Sequence, residues 1–359
     1  MRQETLRRAL TLGIALIVAS IVIGVAWAGD GDRHHRDGDR NRGGADATPA
    51  ASAATSTSAS TANGMITFAR FKEDLGDTQV YVINPDGSEE RLVQGPDQTG
   101  ECPTWFPDGS LIAVCGAQDR PGGGSRFINP DTGAFRDVDG TYPDLFNPCG
   151  NPSPDGSLLL CETFSQDGSQ NGIHTIRTSN GGDLHQVTSN PGGDDVPEAW
   201  SPDGEWILFQ RFEASGAYDG LFVVRLDGTG KRQVLPPTVS ANCCAFSWSA
   251  VRNQILFTRH VTQDFHSSIW VVRPDGSDLH EVNVQPSWLC GGANADPGAA
   301  GCPQAAWSPD GTKIVFSRGL NVDVDGELWV ANADGSDAVQ ITHSPGAQSP
   351  NWGTHPLAR

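Results

Sequence analysis

The chain has 359 residues and a formal net charge of −19, with 37 acidic against 17 basic residues from Met65 onward. Nucleic acid is therefore excluded as a partner, because phosphate binding wants a basic surface. The 43 glycines and 24 prolines, set among short apolar runs, exclude a helical bundle and indicate an all-β chain divided by tight turns.

The N-terminus is unlike the rest. Arg2, Arg7 and Arg8 precede an uncharged apolar run over residues 9–28. A run of that length can span a bilayer, and its basic flank would keep the N-terminus in the cytoplasm. Ala26-Trp27-Ala28 reads equally as a small-x-small cleavage site. Residues 1–28 are thus a signal-anchor or a removed signal peptide, and either sends the remainder out of the cytoplasm, to the periplasm or beyond the cell. Residues 29–64 form a mixed-charge run and then an Ala/Ser/Thr tract. Neither can bury a core, so they read as a disordered stalk.

From Met65 the chain repeats one phrase. It reads TWFPDGSLIAV at 104–114, NPSPDGSLLLC at 151–161, AWSPDGEWILF at 199–209 and AWSPDGTKIVF at 306–316. In Ser201-Pro202-Asp203-Gly204 the proline presets φ at the first corner of a turn, and the glycine supplies the left-handed conformation that closes a hairpin. Each hairpin is followed by an aromatic-aliphatic strand ending in Asp-Gly, as in 79–93, 220–228, 268–282 and 327–342, and then by a short fourth strand. Residues 244–257 are a degenerate version in which Ala-Val-Arg-Asn stands in place of Pro-Asp-Gly. Four-stranded units of about forty residues indicate a β-propeller.

The ends give the count. Residues 65–70 (MITFAR) match a second strand with no first, and 349–353 (SPNWG) match a first strand with no second. The expected blades are 65–94 plus 348–353, 102–139, 149–190, 197–236, 242–285 and 302–344. The ring is closed by pairing of the C-terminal strand with the N-terminal blade, which leaves no open edge. Trp352 should lie buried between the first and last blades.

The Trp-Ser-Pro-Asp-Gly phrases at 200–204 and 307–311 resemble the PD40 (WD40-like) repeat of TolB-type propellers. The resemblance covers 65–353, with Phe106 in the serine position of one blade. It implies a six-bladed propeller. The separate N-terminal α/β domain of that family has no counterpart here, only the stalk. Fold does not fix function.

The repeat turns lie on one rim, so the variable connections share the other, where binding usually resides. That rim is acidic, with Glu73, Asp74, Asp77, Asp97, Glu101, Asp119, Asp194, Asp195, Glu198, Asp219, Asp323 and Asp325 mapping to it. A basic protein segment, a cation or a polar glycan suits such a face. Trp288 could anchor a ligand or pack under its own loop. Asn321, Asp323 and Asp325 alternate before Gly326 like the start of a calcium loop, or form a plain acidic turn. No G-x-S-x-G occurs, which argues against a hydrolase of the prolyl-oligopeptidase type. His260 and His266 flank one variable loop, which keeps a lyase conceivable.

Eight cysteines behind an export signal indicate disulfides. Cys102 and Cys149 occupy equivalent points of adjacent blades. Cys115 and Cys161 are one position out of phase, as partners across a blade interface would be. The expected pairs are Cys102–Cys149, Cys115–Cys161 and Cys290–Cys302, with Cys243–Cys244 left over. The expectation for the whole is an exported, membrane-tethered, non-enzymatic binder of a protein or polysaccharide of the cell envelope. The alternative is a secreted carbohydrate-active lyase or hydrolase.

Overall fold

The computed structural model describes residues 62–117, 124–138, 142, 145–146, 148–239, 246–261, 266–285, 304–319 and 325–358. The expected export segment and nearly all of the stalk lie outside these residues. No helix among the described residues is long and apolar enough to cross a membrane.

Six small antiparallel sheets follow one another along the chain. The first holds β1 (Ile66–Lys72), β2 (Asp77–Ile83) and β3 (Arg91–Leu92). Blade 2 is β4 (Glu101–Trp105), β5 (Ile112–Ala117), β6 (Gly124–Ile128) and β7 (Phe135–Val138). Blade 3 adds a short extra strand, β8 (Leu145–Phe146), to β9 (Cys149–Pro152), β10 (Leu158–Ser165), β11 (Gly172–Arg177) and β12 (His185–Gln186). Blade 4 is β13 (Asp194–Trp200), β14 (Trp206–Phe212), β15 (Tyr218–Arg225) and β16 (Arg232–Leu235). Blade 5 is β17 (Phe246–Trp248), β18 (Ile255–Val261), β19 (His266–Val272) and β20 (His280–Val282). Blade 6 is β21 (Ala305–Trp307), β22 (Lys313–Arg318), β23 (Glu327–Asn332) and β24 (Val339–Gln340). The last strand, β25 (Ala347–Trp352), crosses back to pair with β1, Trp352 opposite Ile66. The first strand of every blade packs against the first strand of the next, β25 against β4 and so on to β21 against β25, so the six form a closed inner ring.

The repeat turn works as its residues dictate. The Ser201 hydroxyl accepts from the Trp206 amide at 2.8 Å, the Asp203 carboxylate accepts from the Glu205 amide at 3.0 Å, and Gly204 sits at φ 73°. Ser153 with Asp155 and Ser308 with Asp310 repeat the arrangement. Satisfying the turn amides internally lets each hairpin reverse without help from neighbouring blades.

The core lies between blades. Phe68, Phe209, Phe257 and Phe316, at the same position of four second strands, are fully buried. Trp352 is buried among Ile66 and Phe68 of the first blade and Ala306, Val315 and Leu328 of the last. Its indole N–H donates to the Gly64 carbonyl at 2.9 Å, which fixes the closure.

The cysteine pairing differs from the expectation. Cys149 is bonded to Cys161, within blade 3, across a Cα separation of 4.0 Å. The two stand directly opposite each other in the β9–β10 register, where cross-strand side chains approach most closely. Cys102–Cys149 and Cys115–Cys161 are therefore not formed. Equivalent positions on neighbouring blades do not meet, because the register brings the two cysteines together inside one blade. Cys243, Cys244, Cys290 and Cys302 lie outside the described residues, and so do both pairs assigned to them.

Candidate functional site

Connections between blades lead into the start of each first strand, so the variable end of blade 4 begins at β13. Asp194 and Asp195 open this strand. Its register with β14 slips between Pro197 and Ala199, which makes Glu198 the extra residue of a bulge. Bulges re-aim side chains, and here the Glu198 carboxyl accepts from the Gln210 amide at 2.6 Å. Asn151 of β9 donates to the Glu198 carbonyl at 3.2 Å, tying the bulge to blade 3.

Blade 3 supplies the facing acid. Glu162 stands on β10 at the position that Gln210 holds on β14, and its carboxyl hydrogen-bonds that of Asp194. Glu162, Asp194 and Glu198 thus gather from two blades, close enough for the charges of Asp194 and Glu198 to act on Glu162. Each keeps some contact with solvent while protein encloses it on most sides.

This enclosure governs the charges. Burial, followed by repulsion from Asp194, holds the Glu162 carboxyl well above the usual range. Burial also raises Asp194 to about 6, although the hydrogen bond from Glu162 favours its ionised form. The two therefore share one proton, carried by Glu162, as close carboxyls must. Burial raises Glu198 to about 7, opposed in part by the bond from Gln210. Tyr218 lies beside them, its hydroxyl pushed up first by burial and then by the charges of Glu198 and Asp219. That hydroxyl is buried without a hydrogen-bond partner.

The adjacent acid behaves differently. Asp195 is fully buried and holds Arg211 in a two-pronged pair, both N–O distances 2.7 Å. It also accepts from Thr188 at 2.6 Å and Asn190 at 3.0 Å. Arg211 is thereby committed, and does not serve Glu162 or Glu198.

The acidic rim of the sequence thus divides. Glu73, Asp74 and Asp97 are exposed, Asp195 is held in a buried ion pair, and Asp194 and Glu198 are half-buried beside Glu162. Glu162 escaped the sequence list. Its signal was available, since the equivalent residues of blades 1, 5 and 6 are Ala69, Thr258 and Ser317. An acid there is an exception within the repeat. Trp288, Asn321 and Asp323 lie outside the described residues, and Asp325 is exposed. No three His, Cys, Asp or Glu side chains among the described residues are arranged to hold a metal ion. His260 and His266 bracket the β18–β19 hairpin, where His266 pairs with Val261, and their side chains also lie outside the description.

No family model matches the chain, and no curated protein matches it either. Solved structures do. The TolB of Acinetobacter baumannii superposes with a TM-score of 0.62 at 15% identity, over 81% of this chain and 66% of that one, just under two thirds. A putative TolB of Agrobacterium tumefaciens gives 0.57 at 20% identity, over 82% and 92%. A chain from a nidogen–laminin complex gives 0.57 at 8% identity, over 82% and 100%. At such identities the likeness is one of fold, and the fold is a six-bladed, TolB-like β-propeller.

Proposed function

We propose that this chain is an exported, non-enzymatic propeller that binds a basic segment of an envelope protein at the acids gathered from blades 3 and 4. The observation that carries the reading is the set Glu162, Asp194 and Glu198, whose burial, joined at Glu162 by repulsion from Asp194, favours retained protons while the adjacent Arg211 is spent on Asp195. An incoming lysine or arginine side chain would let these carboxyls ionise and would gain charge-assisted hydrogen bonds in a poorly solvated place. The surrounding acidic rim would steer such a partner. The apolar run at 9–28 supports export and a membrane tether.

Binding of a fluorescent oligo-lysine or oligo-arginine peptide tests this. Affinity should rise as pH increases through 6–7, fall with salt, and drop at least tenfold in Glu162→Gln/Glu198→Gln. Equal binding by that variant would overturn the reading.

One observation favours a second reading. A carboxyl raised to about 7, as Glu198 is, suits general-acid work on a glycosidic bond. Incubation with envelope and plant polysaccharides decides between them. New reducing ends or unsaturated products, lost in Glu198→Gln, would replace the binder with a carbohydrate-active enzyme.

A further inference from the structure

Blades 2 and 3 each place a cysteine three residues before the end of the first strand, Cys102 ahead of Trp105 and Cys149 ahead of Pro152. Each also carries one on the second strand. In blade 3 the two stand opposite each other and are bonded. In blade 2 the second-strand cysteine falls one residue later, so that Cys115 stands opposite Glu101. The first strand compensates. Its register slips between Glu101 and Thr104, and Cys102 takes a left-handed φ of 47°, a conformation uncommon outside glycine. Cys102 thus follows directly on the residue that faces Cys115, and the Cys115 thiol turns onto that strand, donating to the Glu101 carbonyl at 3.6 Å. Both are thiols here.

Access separates the two pairs. Cys149 and Cys161 are 2% and 0% exposed, inside the core between blades 2 and 3. Cys102 is exposed, and Cys115 lies behind it, half-buried. We propose that Cys102 and Cys115 are a thiol–disulfide exchange site: they close to a second intrablade disulfide by reaction with an external disulfide, and they open and close in the folded protein while Cys149–Cys161 stays shut. The Cys102 thiolate attacks the external disulfide RSSR, forming a mixed disulfide and expelling RS⁻. The Cys115 thiolate then attacks the Cys102 sulfur and expels the second RS⁻. The two protons lost by the cysteines end on the two RSH, so two thiols are oxidised and one disulfide is reduced. Cys115 is the resolving partner: its hydrogen bond with Cys102, then burial, hold it protonated, which leaves the first attack to the exposed thiol.

The full chain tests this by peptide mapping without reduction. After exposure to glutathione disulfide, Cys102 and Cys115 should be linked to each other. A brief mild reduction of the folded protein should then make both alkylatable, with Cys149 and Cys161 reacting only after denaturation. In Cys115→Ser, Cys102 should accumulate as a glutathione mixed disulfide. Free Cys102 and Cys115 after oxidation of the wild-type chain would overturn the proposal. So would their linkage to Cys243, Cys244, Cys290 or Cys302, or a resistance to reduction equal to that of Cys149–Cys161. The wild-type map decides by itself should the variant fail to fold.

Discussion

Four blades carry an arginine near the end of their second strand and two do not. Arg70 donates to Glu90 at 2.7 Å and to the Pro345 carbonyl at 2.9 Å while lying over Phe68 and Tyr81. Arg211 grips Asp195. Arg259 and Arg318 lie over Trp270 and Trp329, each with the guanidinium carbon 5.0 Å from the ring centre. At the same position blade 2 has Gly116 and blade 3 has Thr163. Where the arginine is present, a stacked guanidinium covers the variable end of the blade. Where it is missing, blade 3 has a disulfide between its first two strands and blade 2 has two thiols there, and Glu162 of blade 3 has no guanidinium of its own blade to answer it. The acids with raised values span both kinds of blade: Glu162 stands on blade 3, which lacks the arginine, and Asp194 and Glu198 on blade 4, whose Arg211 is spent on Asp195.

The largest way to break this arrangement is to remove β25, which serves the first of the arginine blades. Deleting 347–358 opens the inner ring and exposes the edge of β1. The loss should approach the whole stability of a domain, about 5–15 kcal/mol, and calorimetry should show no cooperative transition near that of the intact chain. A transition at the wild-type temperature would mean that closure contributes little.

Next in size is Arg211→Ala. It leaves Asp195 fully buried without its cation, a change that costs about 3–5 kcal/mol. Arg259→Ala, which strips stacking from an exposed-end arginine, should cost under about 2 kcal/mol. Urea midpoints of the two variants compare them, and equal losses would refute a special standing for the Asp195 pair.

The covalent tie of blade 3 comes third. Cys149→Ala/Cys161→Ala releases a loop of 12 residues' separation, worth about 3 kcal/mol in the chain-entropy model before any repacking. Guanidinium unfolding measures it, and an unchanged midpoint would make the bond dispensable.

The smallest effect is the most specific to these acids. A carboxyl whose folded value is raised keeps its proton in the folded state, so its stabilising contribution is full below the ordinary value. For Glu198 that contribution is lost as pH rises from 4.5 through about 7. Glu198→Gln should therefore flatten the stability profile over that window and gain on the order of 1–2 kcal/mol over wild type at pH 8. Parallel melting curves at pH 5 and pH 8 check this. A variant that tracks wild type at both would place Glu198 in ordinary solvent.

Much of the fold was legible residue by residue. Pro-Asp-Gly forces a reversal through local φ preferences and local hydrogen bonds, and alternation of apolar residues marks which side of a strand is buried. Neither depends on distant contacts, so Ser201 to Gly204, the strand order and the split blade ending in Trp352 could be read directly. The acids of the rim were legible only as a group. Nothing local separates Asp194 from Asp195, yet one shares a proton with Glu162 and the other is locked to Arg211, because successive residues of a strand face opposite sides and meet different partners.

The sequence by itself determined the blade, the number of blades and the way the ring closes, because each follows from short-range rules repeated six times. Only the tertiary structure decided which cysteines meet and which carboxyls keep their protons. Both depend on register: a bulge at Cys102 and another at Glu198 each shift one side chain by a residue, and no periodic pattern records where a strand will slip.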